Sequence, residues 1–139
     1  MIPTYLGVVF FLLFFGIESF ANTSNDSISG VWSLDSIVEK SFENNVLIDA
    51  DFSGPDTDEN VQYDFQLDGT LLIRVNTNIN STRSYTIDNT HLLINNTGDG
   101  SYNYEGNFYI VELTNSSIHI KKTDGSTEKK VETHFYLTR

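Results

Sequence analysis

The chain has 139 residues, with 19 Asp and Glu against 8 Lys and Arg, a formal charge of −11 at pH 7 and no cysteine. That length suits one domain with one core. The charge argues against nucleic acid and anionic membrane surfaces as partners. The missing cysteines exclude disulfides, thiol catalysis, cysteine zinc sites and a lipoprotein anchor.

Residues 1–21 read as a secretory signal peptide. An apolar run over 8–17 is ended by Glu18, and Ser19-Phe20-Ala21 puts small residues at −3 and −1 of a cleavage site. The apolar run is shorter than the ~20 residues of a spanning helix. The n-region carries no Lys or Arg, only the α-amino group. Cleavage leaves 118 residues in which 8 basic side chains face 18 acidic ones, a charge of −10. The expectation is an exported, periplasmic or extracellular monomer with no stable membrane insertion once the leader is gone.

Residues 22–29 are small and polar and read as a disordered leader. The domain then spans 30–139. A first strand over 30–38 puts Trp32 and Leu34 on one face. Residues 39–60 contain Asp49, Asp51, Asp56, Asp58 and Glu59 with Gly54-Pro55. At that length the segment reads as a lid-like acidic loop, with a short helix or strand near 45–49. Val61, Tyr63, Phe65 and Leu67 then alternate with polar residues, Asp68-Gly69 supplies a two-residue positive-φ turn, and Leu71, Ile73 and Val75 return on one face.

The pattern repeats down the chain. Strands are expected over 82–88 (Tyr85 and Ile87 on one face), 91–95 (Leu92 and Ile94), 107–114, 117–123 (Ile118 and Ile120 against His119 and Lys121) and 130–138 (Val131, Thr133, Phe135 and Leu137). Over 107–114, Phe108 and Ile110 oppose Tyr109, Val111 and Leu113. Residues 96–106 form a loop rich in Gly and Asn. Eight short strands joined mostly by tight turns, with no 3.6-residue period, indicate an all-β fold. Consecutive hairpins close such a meander into an eight-stranded antiparallel up-and-down barrel, or leave it half-open.

Gly30-Val31-Trp32-Ser33-Leu34 resembles the G-x-W-x-L opening of lipocalin-like domains. Phe65-Gln66-Leu67-Asp68-Gly69-Thr70 resembles the F-x-x-D-G-T hairpin of the small exported lipocalin-like domains of Bacteroidetes-type bacteria. Residues 85–94, 108–113, 117–121 and 134–139 fit the hairpins and strands that follow, so the resemblance covers the chain from about residue 29 to its last residue. It implies an eight-stranded barrel and no single established activity. It also implies that a late arginine, here Arg139, packs on the opening Trp32. The chain departs from the family in lacking the lipoprotein Cys and in its longer acidic loop.

An eight-stranded barrel is either filled by side chains or holds one small ligand. The first expectation is a non-enzymatic binding protein for a small apolar or amphipathic molecule. Trp32, Tyr63, Phe65, Tyr85 and Phe135 would line the interior, residues 40–52 would cover its mouth, and no cofactor is required. The alternative is a packed barrel acting as a structural or protein-interaction module. Asp56-Thr57-Asp58-Glu59-Asn60 begins like an EF-hand loop, but Val61 and Leu67 stand where that loop needs Gly and Glu, so only a looser calcium site with Asp49 and Asp51 is left open. His119 and His134 fall opposite the apolar faces and are expected to be exposed. No His pair has i, i+2 or i, i+4 spacing for zinc, and no nucleophile elbow is present.

Overall fold

Period-two alternation of apolar side chains is realised as nine antiparallel strands in the computed structural model, which describes residues 28–95 and 106–139. They are β1 (Gly30–Glu43), β2 (Val46–Ser53), β3 (Val61–Phe65), β4 (Thr70–Val75), β5 (Asn78–Asp88), β6 (His91–Asn95), β7 (Gly106–Leu113), β8 (Ser117–Gly125) and β9 (Lys129–Thr138). The sheet order is β2-β1-β3-β4-β5-β6-β7-β8-β9, and β1 also pairs with β9. That last pairing closes β1 and β3–β9 into an eight-stranded barrel, leaving β2 as an extra strand. The expected signal peptide 1–21, most of the leader and most of the 96–106 loop lie outside the described residues.

β1 serves two partners along one edge. Its first four residues pair with β3, from Gly30↔Phe65 to Ser33↔Gln62. Beyond a register shift between Leu34 and Ser36, the same edge pairs with β2, from Ile37↔Ser53 to Glu43↔Val46. Its other edge stays with β9 throughout, from Ser33↔Thr138 to Glu43↔Lys129. A bulge adds one residue, bends the strand and raises its twist. Asp35 is that residue, and above it β1 parts from β3, stays paired with β9 and forms one arm of a hairpin with β2.

The acidic segment is therefore not a lid-like loop. Residues 39–53 form a β-hairpin turned by Asn44-Asn45, both at positive φ, as a two-residue turn matched to strand twist requires. Its tip is held by Asn44 N–H donating to the Glu128 carbonyl at 2.8 Å, in the neighbouring β8–β9 turn. All eight side chains of β2 are exposed.

Inward residues come from every barrel strand. Trp32, Leu34, Val61, Tyr63, Phe65, Leu71, Ile73, Tyr85, Leu92, Ile94, Phe108, Ile110, Ile118, Ile120, Phe135 and Leu137 form one buried cluster, with Ile37, Val75, Ile87 and Leu113 packed against it. Phe108 and Ile110 are the inward pair of β7, while Tyr109 and Val111 face out. A register shift between Ile110 and Glu112 returns Leu113 to the core side. Ile28, which its sequence places with the leader, is fully buried in the same cluster.

The β3–β4 turn differs from the two-residue form. Gly69 N–H donates to the Gln66 carbonyl at 3.1 Å, and Gln66 N–H to the Thr70 carbonyl at 2.8 Å. Gly69 has φ +86. This is a three-residue loop, a turn closed by a left-handed glycine. The extra residue ends β3 at Phe65, so Leu67 is exposed on the turn rather than inward.

Candidate functional site

The two ends of the barrel are built differently. At one end Trp32 seals the interior. Its Nε1–H donates to the Ile28 carbonyl at 2.7 Å, and the Arg139 guanidinium lies 4.0 Å over its ring. Arg139 also donates to the carbonyls of Asn115 at 2.7 Å and Ser29 at 3.1 Å. It takes the position over the tryptophan that the lipocalin-like resemblance implies. Tyr85 OH donates to the Gln66 carbonyl at 2.7 Å, tying β5 to the adjacent turn.

The five residues expected to line a ligand site lie in this packed interior. Trp32, Tyr63, Phe65, Tyr85 and Phe135 are all buried. Phe65 stands edge-on to Tyr85 at 5.1 Å between ring centroids and beside Tyr63 at 6.5 Å. Phe135 stands edge-on to Phe108 at 5.7 Å. Such offset and T-shaped contacts are the favoured aromatic arrangements. These rings pack against each other.

The opposite end is open. Because β1–β3 pairing stops at Ser33, the wall parts above it. A basin of about 300 Å³ fills the gap, lined by Leu34, Ile37, Val61, Ile73 and Val75, with Gly54, Pro55, Glu59 and Asn80 around them. Residues 40–52 contribute nothing to this lining; the cover comes from the β2–β3 connection. That connection is fixed to the β4–β5 turn by Asn60 N–H donating to Asn76 Oδ1 at 2.8 Å and Asn76 N–H donating to the Asn60 carbonyl at 2.9 Å.

The basin joins the aromatic floor through one register row, Trp32↔Tyr63↔Ile73↔Ser81. Ser81 ends that row inside the wall. It is 7 % exposed, and its hydroxyl has no hydrogen-bond partner among the described residues. Leaving such a group unpaired costs about 1–3 kcal/mol. Asn80 is the extra residue of a bulge, since Ile73 pairs with Ser81 but Arg74 with Ile79. Bulges at barrel rims re-aim side chains, and here one brings Asn80 to the basin. Arg83, two residues further along the inward row, is also buried. The sequence pattern held the signal for both: alternation back from Ile87 and Tyr85 reaches Arg83 and Ser81. A strand begun at residue 82 conceals Ser81, and polar side chains draw no attention in a search for an apolar face.

On the outer wall, away from the basin, His119 and His134 sit together. Nε2 of one lies 2.9 Å from Nδ1 of the other, and His134 Nε2 lies 3.3 Å from Glu132 Oε2. With neutral rings, the carboxylate calls for Nε2–H on His134, which makes its Nδ1 the acceptor and His119 the donor. Tyr136 stacks on His119 at 4.3 Å. His134 is thus buried on the outer face rather than exposed. Burial lowers both imidazole pKa values. The neighbouring His134 adds to the effect on His119, and Lys40 adds to it on His134. Burial alone would raise the Glu132 pKa, but Lys130 and Lys121 outweigh it and hold the carboxyl below its ordinary value. Among the described residues, no three His, Cys, Asp or Glu side chains converge as a metal site needs.

No known protein-family model matches the chain and no curated protein matches it in sequence, so the barrel and the geometry of its open end carry the functional argument.

Proposed function

We propose that the protein is an exported, lipocalin-like binding protein that seats one small amphipathic molecule in the basin at the barrel's open end. The apolar part rests on Leu34, Ile37, Val61, Ile73 and Val75. The polar end takes a hydrogen bond from Asn80 at the rim. The observation that carries the reading is a rim basin that sets five apolar side chains beside the polar side chains of Asn80 and Glu59. About 300 Å³ is at the lower end of small-molecule sites, which are mostly apolar with a few placed polar groups. Glu59 at the rim and the overall charge of −11 favour a neutral or cationic polar group over an anion. The ligand sits above the aromatic set of Trp32, Tyr63, Phe65, Tyr85 and Phe135, which supports the floor.

The test is titration with 1-aminoanthracene, a neutral aromatic amine whose emission rises in apolar surroundings, followed by competition with medium-chain alcohols, amines and acids. Saturable one-site enhancement that disappears in Val75→Trp, with the melting temperature retained, is the expected result. A response unchanged by Val75→Trp, or no saturable response to any of these compounds, refutes the reading. The export component is checked by fractionation, with the protein expected outside the cytoplasm and shortened by the leader.

A further inference from the structure

The hairpin arm carries a second surface that the basin does not use. β2 is the terminal strand of the sheet order and pairs only with β1 among the described residues. Its large apolar side chains are strongly exposed: Val46 64 %, Leu47 51 %, Ile48 61 % and Phe52 79 %. Soluble proteins usually blunt such an edge with charged side chains (Lys above all), Pro, bulges or a very short strand. β2 is eight residues long with no Lys or Pro, and its protection is limited to Asp49, Asp51 and the bulge at Ile48.

Its two faces differ in chemistry. Register places Asp49 opposite Ser41 and Asp51 opposite Glu39, so three carboxylates share one face. Ala50 and Phe52 lie on the other, opposite Lys40 and Val38, with Leu47 opposite Phe42. A strand added to the free edge would meet the same alternation. On one face its side chains would stand beside Asp49 and Asp51, and on the other beside Leu47, Ala50 and Phe52. We propose that this edge binds a partner polypeptide by strand addition, and that the partner segment is extended and alternates basic with apolar side chains. Backbone bonds of the added strand supply affinity, and alternate side chains supply specificity.

A second copy of this chain fits poorly. Antiparallel self-pairing centred on Ala50 sets Asp49 of one copy opposite Asp51 of the other, and like charges directly opposite destabilise a ladder. The whole-molecule charge of −11 adds repulsion between copies, whereas it attracts a basic segment. One edge group is already engaged: Ala50 N–H donates to Asp49 Oδ1 at 3.0 Å. A partner carbonyl would replace that carboxylate, which then turns to the partner's cation.

The probe is a fluorescein-labelled octapeptide alternating Lys with Val or Tyr, followed by anisotropy with the purified protein. Controls are the same peptide with Glu for Lys and an isomer with the Lys residues in one block. The alternating Lys peptide is expected to bind at least ~10-fold tighter than either control and to protect β2 amides from exchange. Asp49→Lys with Asp51→Lys should reverse the preference to the Glu peptide. Ala50→Pro, which an edge strand tolerates, should abolish binding with the circular dichroism spectrum unchanged. Three results would overturn the proposal: equal binding of the blocked isomer, binding that survives Ala50→Pro, or a wild-type dimer that Ala50→Pro returns to monomer. The basin probe reads separately from all of these, so either proposal can fail alone.

Discussion

Ser81→Ala should make the protein more stable, whereas Asn80→Ala should make it a poorer binder. The hydroxyl lies 7 % exposed with no hydrogen-bond partner among the described residues, a condition worth about 1–3 kcal/mol of lost stability. A neutral hydroxyl sits at the lower end of that range, about 1 kcal/mol. Removing a single oxygen leaves too small a void to cancel it. With a urea m-value of about 1–2 kcal/mol/M for a domain of this size, the midpoint should rise by ~0.5–1 M. Asn80 lines the basin, and in Asn80→Ala the loss of one ligand hydrogen bond, ~0.5–1.5 kcal/mol, weakens the complex about 2- to 12-fold. Urea titration followed by circular dichroism gives the first quantity, and the 1-aminoanthracene titration with polar competitors gives the second. A Ser81→Ala protein that is less stable than wild type would show the hydroxyl to be bonded in the native state. Unchanged competitor affinity in Asn80→Ala would remove Asn80 from the site.

Three further outcomes follow from the closed end and the outer wall. Arg139→Ala should cost about 1–2 kcal/mol, since it removes two carbonyl contacts and the charge over Trp32. A double-mutant cycle with Trp32→Phe should show coupling of ~0.5–1 kcal/mol, read from urea midpoints; additivity would refute the ring contact. Gly69→Ala should cost about 1–2 kcal/mol, because φ is +86 and the new Cβ would stand 3.3 Å from the Tyr85 carbonyl oxygen; an unchanged melting temperature would contradict the left-handed turn. The His119–His134 pair sets a pH dependence. Both native pKa values lie below 6.5, so the unfolded chain binds more protons than the native one as pH falls through 6.5. Stability is full above about pH 6.5 and declines toward the native values. His119→Asn with His134→Gln should flatten that decline in urea midpoints measured across the range, and an unaltered slope would exclude the pair as its source.

The barrel was legible because its signals are local. Alternation over Val61, Tyr63, Phe65 and Leu71, Ile73, Val75 places side chains on the inner face whatever the rest of the chain does. Glycine at 69 marks a turn by its φ alone. Alternation ceases to predict the facing of side chains where one added residue changes the phase. Asp35, Asn80 and Val111 sit at register shifts, and nothing in their identities announces an extra residue. The hairpin over 39–53 is only partly legible, as a short helix or strand near 45–49, for a related reason. Its apolar residues Val46, Leu47, Ile48 and Phe52 do not alternate cleanly, because the register shifts between Ser41 and Phe42. Asn44-Asn45 was the available clue, a two-residue pair able to hold positive φ at both positions. His134 reads as outward by alternation, and it is. Its burial depends on His119, Tyr136 and Glu132 meeting on three aligned positions, which is tertiary information.

The bulge at Asp35 links the two proposed surfaces. If β1 stayed beside β3 along its full length, Leu34 and Ile37 would be covered by a continuous wall and no basin would open there. Instead the edge passes from β3 to β2 after Ser33, which leaves the gap that Leu34, Ile37 and Val61 line. The same departure leaves the outer edge of β2 without a strand among the described residues. Nothing of the arm above Val38 joins the buried cluster, so the barrel core does not depend on it. Core packing therefore does not account for the arm's exposed apolar side chains and carboxylates, and an added strand would meet both.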